Sequence, residues 1–377
     1  MKKTFYYLTF VAFAFCLAAC KKSSIHPTND QKNNDTTVDV YIGGYIDAPK
    51  GNGITQVAAY WKNGAITVLG DTTAMTIVKG IAVSGSDVYV AATEYTFNGG
   101  EYAVVWKNGV ATRLSPDAAE AEVTSIAVQG SDVYVGGYTH KIVLQTAEET
   151  QYDSSPVYWK NGVESQLTNA ASINAITISG SDIYFAGSSV AGGKFTGNGM
   201  GNGSVAAYWK NGNSPVTLDY PSIYLPAYSS SASAIAVSGS TVYTAGTTMN
   251  YQPEMWKNNT PFILASSVEA SSAQSVAVSG EDVYIAGVSG NFNVATVWKN
   301  NLPLTLTTAP GTTMTNSEAT AVALERGNIY VSGSIKNAAG NEYGAYYWKN
   351  GQLTRLTNGT GVGAFATCMT LVPPPVL

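Results

Sequence analysis

From residue 38 onward the chain is filled by short runs in which apolar side chains alternate with small or polar ones, and no helical spacing with caps interrupts them. Three runs recur in a fixed order. The first is a small residue followed by Ile-Ala-Val or a close variant, as in Gly80-Ile81-Ala82-Val83. It offers no polar side chain to either face, as expected of a strand held between layers. The second is built on a tyrosine, as in Asp87-Val88-Tyr89-Val90, where β-branched and aromatic residues suit a pleated, buried surface. The third ends in Trp-Lys-Asn-Gly, as at residues 103–109. Asn-Gly between strands predicts a two-residue hairpin, because both turn residues must take positive φ. Two copies carry Asn258-Asn259 and Asn300-Asn301 instead, and Asn tolerates the left-handed region. The run after the turn, such as Thr112-Arg113-Leu114, has one polar face and marks an outer edge. Each unit therefore predicts a four-stranded antiparallel meander.

The unit is repeated. All seven tryptophans (Trp61, Trp106, Trp159, Trp209, Trp256, Trp298 and Trp348) sit in the Trp-Lys-Asn context, at spacings of 45, 53, 50, 47, 42 and 50 residues. Each has its tyrosine upstream: Tyr41, Tyr89, Tyr134, Tyr184, Tyr243, Tyr284 and Tyr330. Units of this length suit the blades of a propeller. The expected fold class is all-β, a seven-bladed β-propeller spanning residues 38–372. An open solenoid would need capping units at both ends. Here the first tyrosine run, residues 38–45, lacks its Ile-Ala-Val partner, and residues 366–372 supply an extra one. Pairing of those two segments would close the ring. The smallest side chains place the Ile-Ala-Val strand nearest the axis. The two tight turns of each blade then share one face of the disc, and the two longer connections share the other.

Composition bears on the address. Lys2 and Lys3 precede an apolar run, residues 5–19, that is shorter than the roughly 20 residues of a spanning helix and has the layout of a secretory signal. The run ends in Leu17-Ala18-Ala19-Cys20, which resembles the lipobox of bacterial lipoproteins. The resemblance implies cleavage before Cys20, lipidation of its sulfur and a membrane partner reached through that anchor. Residues 20–37 would be a linker, and residues 373–377 a Pro-rich tail. Lys21 in place of an aspartate favours the outer membrane by analogy with lipoprotein sorting. Loss of Lys2 and Lys3 moves the net charge from −5 to about −7. With three arginines (Arg113, Arg326 and Arg355) and no basic block, nucleic acid is not an expected partner. Cys368 is the one thiol left for the folded part, so no disulfide staples it.

The repeat also resembles the HAF-type extracellular repeat, which couples an apolar-Trp-x-Asn-Gly turn to a later Leu and a Gly-ended strand. Residues 103–114 followed by 126–137 have that order. More distantly it is similar to kelch repeats, whose Gly-Gly pair is matched by Gly43-Gly44 and Gly136-Gly137. The other blades carry Ala91-Ala92, Ala186-Gly187, Ala245-Gly246, Ala286-Gly287 and Ser332-Gly333 there. Both resemblances cover the repeat region and speak to architecture alone.

Residues that recur once per blade are expected to be packing between blades. Function is sought where the units differ. Residues 139–156 read as a charged loop carrying His140, Lys141, Glu148, Glu149, Tyr152 and Asp153. Residues 188–204 read as a Gly-rich rim loop with Lys194 and Phe195. Residues 219–233 carry Tyr220, Tyr224 and Tyr228 on a Pro-stiffened segment suited to stacking on sugars or gripping a protein. The candidate ligand-binding residues are Tyr220, Tyr224, Tyr228, His140, Tyr152 and Phe195. No catalytic residue, metal ligand set or cofactor is predicted. Most zinc sites use two or more His or Cys, which the domain does not supply, and no calcium ladder appears. The favoured reading is a monomeric, non-enzymatic recognition or scaffold module for a glycan or an envelope protein. Its rival is a lyase or hydrolase built on loop-face carboxylates, drawn from Glu94, Glu101, Glu148, Glu149, Asp153 and Asp219.

Overall fold

The computed structural model describes residues 38–374, except 116–119, 146–149, 191–203, 219–229, 249–251, 265–270, 291–292, 307–315, 337–342 and 357–362. The described residues form seven four-stranded antiparallel sheets and no helix. Each blade runs outward from an Ile-Ala-Val strand. The inner strands are Ala74–Ser84, Glu120–Gln129, Ala170–Ser179, Ser230–Ser238, Ser272–Ser279, Ser317–Glu325 and Ala364–Val372. Each touches the inner strand of the next blade, and the last of them touches the first.

Ring closure follows the expectation and extends it. In blade one the inner strand Ala364–Val372 pairs antiparallel with Asp39–Lys50, in a register from Asp39 opposite Val372 to Ile46 opposite Ala364. Blade one is thus made from both ends of the domain.

Seven apolar clusters fill the seven spaces between blades. In each, the tyrosine of one blade packs with the tryptophan of the next. Tyr89, Ala91 and Val105 of blade two meet Val123, Val157 and Trp159 of blade three, for example. All seven tryptophans are buried, so the repeated aromatics are mortar, not a stacking surface.

The hairpins at the tight-turn face are tied by one recurring clasp. Asn63 and Gly64 both take positive φ, and the Asn63 side chain accepts a hydrogen bond from the Val40 backbone N–H and donates to Asp39. Lys62 pairs with Asp39 at 2.8 Å and lies over the Tyr41 ring. The hydrogen bonds from Lys62 and Asn63 hold the Asp39 carboxyl below the usual range. The same set recurs with Asp87, Asp132, Asp182 and Asp282. In these five blades the lysine after the tryptophan is therefore half of an ion pair. The aspartate stands two residues before the tyrosine in these five blades, and Thr241 and Asn328 take its place in the other two.

The inner strands carry a second device. Each holds a β-bulge one residue before its Ile-Ala-Val run or variant, where the register skips Lys79, Thr124, Asn174, Ser233, Gln274, Thr320 or Thr367. The bulge drives a backbone carbonyl of the inner strand toward the second strand. A Cβ at Gly137 would lie 1.9 Å from the Glu122 carbonyl oxygen, and one at Gly333 would lie 2.0 Å from that of Glu318. That close approach explains the recurring glycine after the tyrosine. Blade two has Ala92 there, for which the structure offers no account. Gly137→Val is expected to lower stability by about 2–4 kcal/mol, since a branched side chain cannot clear the carbonyl without moving backbone. Denaturant unfolding against wild type measures it.

Candidate functional site

The meander fixes which residues gather on the long-loop face: those that begin inner and third strands and those that end second strands. Two non-repeating clusters form there.

The first is a cavity of about 370 Å³ lined by residues of blades six, seven and one. Gln274, Asn293, Asn316 and Glu318 supply amide and carboxyl groups, and Tyr343 and Phe365 supply rings. Ser317 is structural, because its hydroxyl accepts the Ala295 N–H at 2.9 Å. Phe365, from the C-terminal strand, is stacked on Tyr45 of the N-terminal strand with ring centroids 5.2 Å apart. It also meets Tyr343 of blade seven at 4.7 Å, tilted by 54°. Ring closure therefore assembles this aromatic cluster from three strands distant in sequence. Burial raises the Glu318 carboxyl to about 6. Burial, followed by the Glu318 and Asp47 carboxylates, pushes the Tyr45 hydroxyl up as well. An aromatic wall beside hydrogen-bonding amides and a carboxyl is chemistry that suits a polyhydroxylated ligand.

The second cluster joins blades two and three. Glu101 begins the third strand of blade two, Glu122 lies near the start of the inner strand of blade three, and His140 lies on the second strand of blade three. Their donor atoms lie within 4.8 Å of one another. Burial, then the charge of Glu122 and a hydrogen bond to it, raises Glu101 to about 7. Tyr95 hydrogen-bonds Glu101. Ser154 Oγ lies 2.7 Å from His140 Nδ1.

The sequence-predicted residues fare unevenly. His140 belongs to the second cluster. The segment around it is not the irregular loop expected: it is an extended hairpin, Asp132–Gln145 paired with Thr150–Lys160, with a bulge at Gln151/Tyr152. The apolar, partly β-branched run Ile142-Val143-Leu144 suits a strand, a signal that the neighbouring charges masked. Tyr152 is on that hairpin opposite Ile142. Tyr220, Tyr224, Tyr228, Phe195, Cys20, Glu148, Glu149 and Asp219 lie outside the described residues. Glu94 is held by Arg113 in an ion pair. The cavity residues Gln274, Asn293, Asn316, Glu318, Tyr343 and Phe365 escaped sequence reading. They belong to no repeated motif, and the packing of the consecutive blades six, seven and one brings them together.

No family model matches the chain, and no curated protein matches it. Among solved structures it is similar to a puromycin-hydrolysing peptidase of Mycobacterium tuberculosis, at 9% identity and TM-score 0.49 over 84% of this chain and 53% of that one. It is similar to the hydrazine synthase of Kuenenia stuttgartiensis, at 9% identity and TM-score 0.44 over 89% of this chain and 47% of that one. The chain thus spans about half the length of those two chains. It is also similar to AofleA from Arthrobotrys oligospora, at 9% identity and TM-score 0.40 over 81% of this chain and 90% of that one. These likenesses assign no function; the chain's own geometry places a seven-bladed propeller with two non-repeating polar clusters on its long-loop face.

Proposed function

We propose that the chain is a cell-envelope lipoprotein, anchored through Cys20, whose propeller recognises a glycan on its long-loop face without chemical turnover. The observation that carries the ligand class is the cavity in which Tyr343 and Phe365 stand beside Gln274, Asn293, Asn316 and Glu318. The anchor rests on Leu17-Ala18-Ala19-Cys20 after an apolar run. Tyr220, Tyr224 and Tyr228 are proposed as additional stacking groups at the rim. The Glu101–Glu122 pair does not favour a glycosidase, because those carboxyls hydrogen-bond each other, whereas a retaining enzyme holds its pair about 5–5.5 Å apart.

The test is a glycan-array screen of the full chain, followed by titration of the best ligand against Tyr343→Ala and Gln274→Ala. Loss of one ring contact is expected to weaken binding about 3- to 10-fold, equivalent to about 0.5–1.5 kcal/mol, with unfolding unchanged. A ligand whose affinity neither variant alters would place recognition elsewhere. For the anchor, Cys20→Ser is expected to release the chain from membranes; retention after a high-salt wash would refute it.

A further inference from the structure

We propose that Glu101, Glu122 and His140 form a binding site for a divalent first-row transition ion, zinc being the closest match to the donor set. The inference is independent of the glycan reading.

None of the three is a repeat residue. The positions equivalent to Glu122 in the other blades carry Ile77, Ser172, Ser231, Ser272, Glu318 and Phe365. A scaffold built from near-copies has placed two carboxylates and its one described histidine together at a single seam. Their donor atoms lie within 4.8 Å of one another, and His140 Nε2 is 3.7 Å from Glu122 Oε1. Two ligands each about 2.1 Å from a tetrahedral ion stand roughly 3.4 Å apart. That edge needs to contract by only a few tenths of an ångström, and the other separations, all within 4.8 Å, must close further by side-chain rotation.

A second observation points into the same space. His140 Nε2 and Glu101 Oε1 are sealed from solvent, and neither has a hydrogen-bond partner. Each such orphan typically costs about 1–3 kcal/mol. A cation between them would satisfy both atoms together and offset the repulsion between the carboxylates.

The surrounding groups act as outer supports. Ser154 Oγ lies 2.7 Å from His140 Nδ1 and can accept its proton in the tautomer whose Nε2 lone pair faces the carboxylates, the tautomer a metal ligand needs. Tyr95 hydrogen-bonds Glu101. The Glu122 side chain remains 37% exposed, so an ion can enter from solvent and keep a coordination position for water. One imidazole with two carboxylates is too few oxygens for calcium, which takes 6–8. It suits the borderline ions that accept nitrogen and oxygen together.

The experiment titrates the full chain, stripped with a chelator, with Zn²⁺ by calorimetry and with Co²⁺ by its visible absorption. One ion per chain is expected. His140→Ala and Glu101→Gln should each weaken binding by more than about 10-fold, and Ser154→Ala by about 10-fold, as loss of an outer support does. Thermal unfolding in chelator confirms that each variant folds; if His140→Ala does not, Glu101→Gln carries the test. Cobalt bound through imidazole gives a spectrum that His140→Ala should abolish. Absence of saturable Zn²⁺ or Co²⁺ uptake, binding of calcium alone, or zinc binding equal in wild type and both ligand variants would overturn the proposal. The last result would place the ion on the N-terminal segment, which holds His26.

Discussion

Deleting residues 364–377 is expected to leave a chain that aggregates or loses cooperative unfolding, not a propeller trimmed of one strand. The deletion removes the inner strand of blade one and strips Asp39–Lys50 of the partner that pairs with it from Asp39 to Ile46. It opens two interblade clusters. Ala364, Ala366, Met369 and Leu371 leave the seam with blade seven, and Cys368 leaves the seam with blade two. A large apolar side chain moved from core to water costs about 1.5–3 kcal/mol. Several such losses reach the 5–15 kcal/mol that holds a typical domain folded. The bared strand edge then offers a template for association. Solubility and thermal unfolding of the truncated chain measure the effect. A soluble protein melting cooperatively within a few degrees of the full-length chain would refute the coupling of the ring to its last strand.

Stability should also fall as pH rises from about 4.5 to about 7, because the carboxyl of Glu254 and, in the same direction, that of the half-buried Glu101 are both raised to about 7 in the folded chain. Glu254 lies two residues before Trp256 on the third strand of blade five, where the other blades place Ala, Val, Thr or Tyr. It is fully buried, neither carboxyl oxygen has a hydrogen-bond partner, and burial raises its pKa from 4.5 to about 7. Thr244 Oγ1, on the neighbouring strand opposite Trp256, is unpartnered as well. The folded state keeps the proton over a range in which the unfolded chain releases it. The protonated acid is therefore tolerated fully below about pH 4.5, and stability declines until the folded carboxyl ionises near pH 7. A shift of that size corresponds to about 3 kcal/mol. Glu318, raised to about 6, adds a smaller change of the same sign. Glu254→Gln should remove the part of the slope that Glu254 carries, leaving that of Glu101 and Glu318, and make the protein more stable than wild type at pH 8 by up to about 3 kcal/mol, with little difference at pH 4.5. Urea unfolding of both chains across that range, in chelator, decides it. Parallel pH profiles would show that Glu254 has a partner or solvent access in solution.

The fold was legible because a propeller repeats its instructions. Seven Trp-Lys-Asn turns, seven tyrosine strands and six Ile-Ala-Val strands with a seventh displaced to the C-terminus define blade number, strand order and closure. The bulge was not legible, since an extra residue shifts the phase of alternation but the run that follows is apolar on both faces and hides the shift; its trace is the glycine that makes room for a carbonyl. The Asp39–Lys62 type of pair was hidden for another reason. Its partners are 23 residues apart, and only hairpin register brings them together. The candidate sites were least legible. Glu101 was visible as one loop-face carboxylate among several, and His140 as a lone histidine, but nothing in their spacing places them with Glu122. Phe365, Tyr45 and Tyr343 meet because the chain ends meet.

The most direct test of that meeting is a covalent one. Gly43 and Cys368 are register partners across the closing pair, and a Cβ at Gly43 would lie 2.6 Å from Cys368 Sγ. Partners in such a pair fall within disulfide reach. Gly43→Cys should therefore form a disulfide with Cys368 under mild oxidation, read as one linked peptide in a non-reducing map and split by reductant. Since Val78 also crowds Gly43, Val40→Cys with Leu371→Cys, register partners in the same strand pair, provides a second linkage. Near-complete cross-linking is expected in the folded, monomeric chain. Thiols that stay open to alkylation in both variants while the protein remains folded would contradict the closed ring and the cavity it builds.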